Sequence, residues 1–582
     1  GFDDFHINFT YPKKVVDSLI GDEFLEGRER FRYKKAVILM GTNATGKTSL
    51  GKALLRIFDY TQTANEEKLR EMADGDGAAE FQVDFVNEGF TLHRLKGMID
   101  EESIRIQYLT ADIATMDSYE KAAAKLKDAA AEKIAEAAEA AEEEAKAAAE
   151  ERDFEDDLKK DGYMPRLADA KLDEYLSIFG AVNITGPKWC GKTWTAYNIC
   201  NSATLIADPK GNYQNRRLAM TDPSLILKGD FPQLIDEWQD VPGIWDAVRY
   251  SIDDAGRKGM YVLTGSATPN RKGFVHSGTG RIKELCMRTM TLLERGLSDG
   301  KLSISGLFDH PEFSFATKES NLEEVIEYTV HGGWPGTAGM TTEASLEVAK
   351  GYIETLVNND ITFDGVKRDP SKMLRLIRSL ARNESTTASK KALKRDMSEN
   401  PDDPQISDNT LDDYLSVLES LHFTDFQPAF NPNMRSSVRV GKSPKRHLAD
   451  PSLTAAAMGM GPESYLNDLN TFGYLFEALC VHDLNGYASV FDGNIMHYRD
   501  GDGNEIDAVL ELPDGRWGAF EMKVGAHEID DGAESLLKMD CKIRKQEKGR
   551  PPEFMCVVCG MTDAAYVRDD GVYVLPPTVL GP

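Results

Sequence analysis

Two short apolar runs in this chain stop at the same kind of loop. AVILM (36–40) runs into GTNATGKTS (41–49), and AVNIT (181–185) runs into GPKWCGKTW (186–194). Both runs are mostly apolar and short, as strands are. Each loop fits G-x-x-x-x-G-K-[ST] and leads into a helical pattern. That order predicts strand, phosphate-cradling loop and helix N-terminus, twice.

The pattern divides the rest of the chain. Residues 1–118 read as mixed strands and helices, with a hairpin-like alternation at AEFQVDFVNEGFTLHRLKG (79–97). Residues 119–160 are nearly all Ala, Glu and Lys, strong helix formers with too few large apolar residues for a core stripe. About 40 residues at 1.5 Å rise give a semi-rigid spacer of ~60 Å. Its monotony suggests a join between two halves. Residues 161–310 alternate apolar strands (AVNIT, ATLIAD, PQLIDEW, MYVLTGS) with helices, which predicts a parallel sheet. Residues 311–458 are mostly helical and suit a winged helix, with Ser407 or Asp408 as an N-cap. Residues 459–582 read as a helix followed by strands IMHYRD, EIDAVLEL, WGAFEMKV and EFMCVVCGM.

Composition narrows the options. A chain of 582 residues with 41% hydrophobic and 28% charged residues can bury several cores. It shows no apolar stretch near the ~20 residues of a membrane span, so no membrane partner is expected. Seven scattered Cys favour reduced thiols and a cytoplasmic location. Cys556 and Cys559 form a lone C-x-x-C in an apolar strand, more consistent with core than with metal. The start at Gly1, without Met, suggests a chain trimmed or cut from something longer. A net charge of −28 repels nucleic acid in bulk. DNA binding would therefore need a local basic patch, for which RSSVRVGKSPKRH (435–447) is the candidate, or the C-terminal segment.

The second loop has chemical company. Gly186, Pro187, Lys188, Trp189, Cys190, Gly191, Lys192, Thr193 and Trp194 would bind ATP: amides around the phosphates, Lys192 on the β/γ oxygens, the Thr193 hydroxyl on Mg²⁺. PQLIDEW supplies Asp236 for the metal's shell and Glu237 to polarise the attacking water. Thr264 and Ser266, closing the next strand, are placed to sense the γ-phosphate. Arg281 would bring positive charge to the transferring phosphoryl, in its own site or in a neighbour's within a homo-oligomer.

YMPRLADAKLDEYLSIFGAVNITGPKWCGKTWTA, LIDEWQDVPGIWDAVRYSID, LTGSATP and HSGTGRI resemble the prokaryotic AAA+-type ATPases that carry the domain of unknown function 4143. The likeness continues through GGWPG, DGVKRDP, RSLARNES, SPKRHLADPSL and FGYLFEALCVHDL, over about residues 161–580. It implies a multidomain α/β protein: a P-loop parallel sheet, a helical part and a nuclease-like end.

In that end, Asp507 on one strand and Glu521-x-Lys523 on the next would meet across a PDG turn. With Glu477 they would form a hard-oxygen Mg²⁺ site, Lys523 acting on a metal-bound water. The arrangement resembles the PD-(D/E)XK nuclease core. A solvated hairpin face is the plainer alternative.

The first loop has the residues for a second phosphate site: Gly41, Thr42, Asn43, Ala44, Thr45, Gly46, Lys47, Thr48 and Ser49, with Thr48 as its metal-side hydroxyl. Residues 4–118 resemble the N-terminal lobe of cassette ATPases, a group including structural-maintenance-of-chromosomes proteins and overcoming-lysogenization-defect nucleases. The paired acids that would finish such a site do not follow before the spacer. The chain is therefore expected to be an ATP-hydrolysing switch working through its second loop. An ATP-gated nuclease and a slow-turnover ATP-bound scaffold are the alternatives.

Overall fold

The computed structural model describes residues 162–265, 277–362, 366–398, 406–546 and 549–582, together with the backbone of five strands before residue 113. The chain forms two units, 1–155 and 156–582. In the first unit, β1 (Phe24–Leu25) pairs antiparallel with β2 (Arg28–Arg32). β3 (Ala79–Val86), β4 (Thr91–Ile99) and β5 (Ile104–Asp112) pair antiparallel in sequence order, the first two as the hairpin-like alternation predicts. The first loop (41–49) and the 119–160 spacer lie outside the described residues.

The second unit opens with helix α1 (Ala168–Ile178) and a five-stranded sheet. Its strands are β6 (Ala181–Thr185), β7 (Ser202–Leu205), β8 (Gln233–Asp236), β9 (Tyr261–Thr264) and β10 (Ile282–Cys286). All neighbours run parallel, in the order β10-β6-β9-β8-β7. Helices α2 (Lys192–Ile199), α3 (Lys210–Thr221) and α4 (Gly243–Ala255) alternate with the strands. Burial on both faces explains why apolar residues dominate these strands. Period-two alternation splits them: Val182, Ile184, Leu234 and Val262 pack with Leu172 and Ala196, whereas Ile235, Tyr261 and Leu263 pack with Trp245, Val248 and Ile252.

After β11 (Leu302–Ser303) and β12 (Ser314–Ala316) come helices α5 (Leu322–His331), α6 (Thr342–Asn358), α7 (Pro370–Arg382), α8 (Lys390–Met397) and α9 (Asp408–Ser420). Each of the five has a side-chain N-cap: Asn321, Thr341, Asp369, Ser389 and Ser407. At α9 the cap is Ser407, whose hydroxyl accepts from the Thr410 amide at 3.1 Å. β13 (Thr424–Gln427) and β14 (Lys445–Leu448) then pair antiparallel, flanking the short α10 (Val438–Gly441).

Helices α11 (Pro451–Met458), α12 (Pro462–Leu466) and α13 (Leu469–Ala488) lead to an antiparallel meander, β15 (Asn494–Arg499), β16 (Glu505–Glu511) and β17 (Trp517–Lys523). Helix α14 (Ile529–Arg544) crosses over to β18 (Phe554–Cys559), which runs parallel to β17. β19 (Ala564–Val567), β20 (Tyr573–Leu575) and β12 extend this to a seven-stranded sheet, and β21 (Leu580–Gly581) pairs back with β11. One hydrophobic cluster runs through the helical segment and this sheet, from Ile304 to Leu580.

That shared core makes a prediction. Phe476, fully buried in it, should cost about 3–5 kcal/mol on truncation to Ala. Far-UV circular dichroism and tryptophan fluorescence should then report one coincident, shifted urea transition for residues 304–582. Two separated transitions would contradict a common core.

Candidate functional site

β6, β9 and β8 lie side by side, so their C-terminal ends converge. Thr264 pairs in register with Asp236 on one side and Ile184 on the other. The loop after β6 needs its two glycines. Gly186 (φ +145°) passes so close to the Met287 carbonyl that a Cβ would collide with it, and Gly191 (φ +104°) caps α2 in a left-handed conformation. Helix α2 thus begins at Lys192 with its first amides facing the loop.

The charged groups here are answered locally. Lys192 is buried, and its ammonium donates to the carbonyls of Gly186 (2.8 Å) and Pro187 (2.7 Å). Asp236 Oδ1 accepts from the Thr193 hydroxyl at 3.0 Å and the Thr264 hydroxyl at 2.5 Å. Burial lifts the Asp236 carboxyl above the usual carboxylate range; the Thr264 hydrogen bond opposes this, and the charge of Glu237 adds to it. Glu237 sits at φ +55°, a strained conformation for Glu, and the Gln239 amide donates to its carboxylate. Lys192, Thr193, Asp236 and Glu237 line a cavity of about 1060 Å³, together with Trp334 and Pro335. A hydroxyl and a carboxylate meeting beside a helix N-terminus suit Mg²⁺ and a phosphate chain.

Two braces on the loop have no counterpart in the sequence reading. Arg166, in YMPRLADA, donates to Cys190 O (2.5 Å), Arg288 O (2.8 Å) and Glu294 (2.9 Å). Lys188 reaches Asp360 (2.7 Å), and its amide donates to the Tyr352 hydroxyl (3.2 Å), so the helical segment touches the loop. Trp189, at the loop tip, is 67% exposed. Local pattern marks Arg166 only as a cation near a helix start; its partners lie 24 to 128 residues away.

The remaining predicted residues fall differently. Arg281 stands at the start of β10, where its carbonyl accepts from Ala181 N, the end of the sheet opposite the loop. Its guanidinium pairs with Asp253 at 2.7 Å. A role in its own site is thereby corrected: a five-residue strand separates it from Gly186. Ser266 lies outside the described residues, as do Lys47, Thr48 and the rest of the first loop.

Glu477, Asp507, Glu521 and Lys523 do come together, but around a lysine rather than an open space. Lys445 Nζ, with its side chain 2% exposed, lies 2.8 Å from Glu477, 2.9 Å from Glu505 and 3.7 Å from Asp507. Lys523 pairs with Glu521 at 2.9 Å. Burial raises the Glu477 and Glu521 carboxyls, the Asp507 charge adding to both. Burial pulls Lys445 down, yet Glu477, Asp507 and Glu505 outweigh it and hold the ammonium above lysine's ordinary range. Among the described residues no group of three or more His, Cys, Asp or Glu is arranged to hold a metal. Cys556 and Cys559 are buried in different clusters, three apart on β18.

The expected basic patch is also dispersed. Lys445, Arg446 and His447 are buried, and Arg439 forms a bidentate pair with Glu511 at 2.8 Å. Electrostatic attraction to DNA needs exposed cations, and this stretch turns most of its charge inward. Two of the three lysines of α8 are paired with acids of α9, Lys394 with Asp408 (2.6 Å) and Lys390 with Asp412 (2.5 Å). No helix among the described residues is long and apolar enough to cross a membrane.

Comparison with known proteins agrees with this layout. Residues 179–295 match the family model described as an AAA domain, 322–464 a domain of unknown function (DUF8612), and 472–580 a domain of unknown function (DUF4143). Two uncharacterized proteins, of Mycobacterium bovis and Mycobacterium tuberculosis, are each 25% identical over 364 residues, covering 62% of this chain and 73% of the relative.

The brace on the loop is testable. Arg166 and Glu294 are both nearly buried, with side chains 4% and 6% exposed. Arg166→Ala strands a buried carboxylate and should cost about 3–5 kcal/mol. The double variant with Glu294→Ala should cost less than the sum of the singles in a urea-unfolding cycle. Strict additivity would mean the pair is not coupled.

Proposed function

From the premise that the chain joins an AAA-type ATPase domain to a domain of unknown function 4143, we propose that it hydrolyses ATP with Mg²⁺ at its second loop. The nucleotide state would then reposition the helical and C-terminal segments. One observation carries this reading: Thr193 and Asp236 meet at 3.0 Å beside the N-terminus of α2, with Glu237 the next residue. Thr193 and Asp236 would hold Mg²⁺, whose charge would neutralise that developing on the phosphates. Lys192 exchanges its loop carbonyls for phosphate oxygens. Glu237, released from Gln239, orients and polarises the attacking water.

The switching half of the proposal is supported by the contacts that leave the loop. Lys188 ties it to Asp360 and Tyr352 in the helical segment. Arg166 ties it to Glu294, which also accepts from the Leu167 and Thr291 amides, and Leu292 N next door donates to Asp483 on α13. A phosphate chain entering the loop must disturb one or both routes. Arg281 can reach a phosphate only in a neighbouring copy; light scattering that finds a monomer with ATP present would remove that role.

Phosphate release in Mg²⁺ and ATP tests the proposal. Glu237→Gln should lower turnover by about 10²- to 10⁴-fold while retaining a fluorescent ATP analogue. Lys192→Ala should lose both, and Lys47→Ala should change little. Turnover abolished by Lys47→Ala alone, or negligible in the unaltered chain, would favour the first loop or a slow-turnover scaffold instead.

A further inference from the structure

The α13 helix and the β15-β16-β17 meander bring together Glu477, Asp507 and Glu521, the carboxylates expected from the sequence to hold Mg²⁺. The residues present do not fit that ion. Mg²⁺ requires near-octahedral oxygens at 2.0–2.1 Å. Here the oxygens are already organised around an ammonium: Lys445 Nζ touches Glu477 and Glu505 at 2.8 and 2.9 Å and stands 3.7 Å from Asp507. The other Asp507 oxygen accepts from the Met522 amide at 2.9 Å, and Glu521 is paired with Lys523. A divalent ion entering this group would meet both a steric block and a like charge.

The origin of the lysine is informative. Lys445 belongs neither to α13 nor to the meander. It comes from β14, the second strand of the hairpin that follows the helical segment, and sits opposite Gln427 of β13. The Gln427 amide donates to the carbonyls of Asp507 (2.8 Å) and Met496 (3.1 Å). Two facing residues of one hairpin thus clamp the strand that carries Asp507, one by its backbone and one by its carboxylates. His497, on the meander, adds backbone contacts with Pro428 and Phe430, just beyond β13.

We propose that Lys445 is a built-in cation: it takes the metal's place among Glu477, Glu505 and Asp507 and keeps divalent ions out for as long as the β13–β14 hairpin is docked on the meander. Lysine and metal compete for the same oxygens, so any metal chemistry of the C-terminal domain first requires this hairpin to withdraw. The inference is independent of the ATPase assignment, since it concerns a cluster outside the nucleotide cavity.

Mn²⁺ binding to the nucleotide-free full chain, followed by the loss of its free-ion paramagnetic resonance signal, tests this. In the unaltered chain, Asp507→Asn should leave Mn²⁺ binding unchanged. Lys445→Met should gain one Mn²⁺ with at least about tenfold tighter binding, and adding Asp507→Asn should remove the gain. A folded Lys445→Met chain, judged by circular dichroism, that gains no Mn²⁺ overturns the proposal. So does an unaltered chain that already binds Mn²⁺ through Asp507. If Lys445→Met fails to fold, acetylation of the unaltered chain read by mass spectrometry decides. Protection of Lys445 relative to exposed Lys391 supports docking, and equal modification refutes it.

Discussion

A charge taken out of water must be answered where it stands, and this constraint organises the second unit of the chain. Lys192 is answered by two carbonyls of its own loop. Asp236 is answered by two hydroxyls. Arg166 is answered by two carbonyls and a carboxylate, and Lys445 by a cluster of acids. Breaking such a pair leaves the other member buried and uncompensated. Each arrangement therefore resists partial change and favours one of two states: the present partners, or a complete exchange for new ones. In the proposed function, a nucleotide phosphate chain with its metal would be such an exchange at the loop.

The same constraint stitches the segments together. Arg288, just past the last strand of the five-stranded parallel sheet, pairs with Asp425 on β13 at 2.7 Å. Thr289 next to it donates to Asp450 at 2.6 Å, and Asp450 also accepts from the Gly333 amide at 2.9 Å. The Thr289 hydroxyl meets His482 of α13 at 2.9 Å. Three consecutive stretches of chain are thereby fixed to one short segment after β10. The apolar core shared by the helices and the C-terminal sheet supplies the bulk of the cohesion. The polar contacts decide which relative placement is allowed, because a buried hydrogen bond tolerates little displacement.

Much of the local structure was legible in the residues themselves. The strand–loop–helix at 181–199, the acids closing β8, the hydroxyl closing β9, the Ser407 cap and the 79–97 hairpin all depend on interactions within a few residues or on a period of two. The convergence of Asp507 with Glu521 was legible too, since a short turn fixes which residues of a meander face each other. Less legible was the stretch around Lys445. Expected as a local basic patch, it contains a four-residue strand buried at every position, because its polar side chains find partners inside the fold. Composition alone cannot distinguish a charge facing water from one facing an acid.

The sequence by itself therefore determined the elements, their order and the chemistry offered at each strand end, since these follow from backbone geometry and side-chain periodicity over short spans. Tertiary structure alone decided which charge met which. Arg281 went to Asp253 at the far end of the sheet, Arg166 to a loop 24 residues away, and Lys445 to a carboxylate 32 residues away. Those pairings depend on distances set only when the sheets and helices pack, and on the cost of leaving any buried ion without a counter-charge.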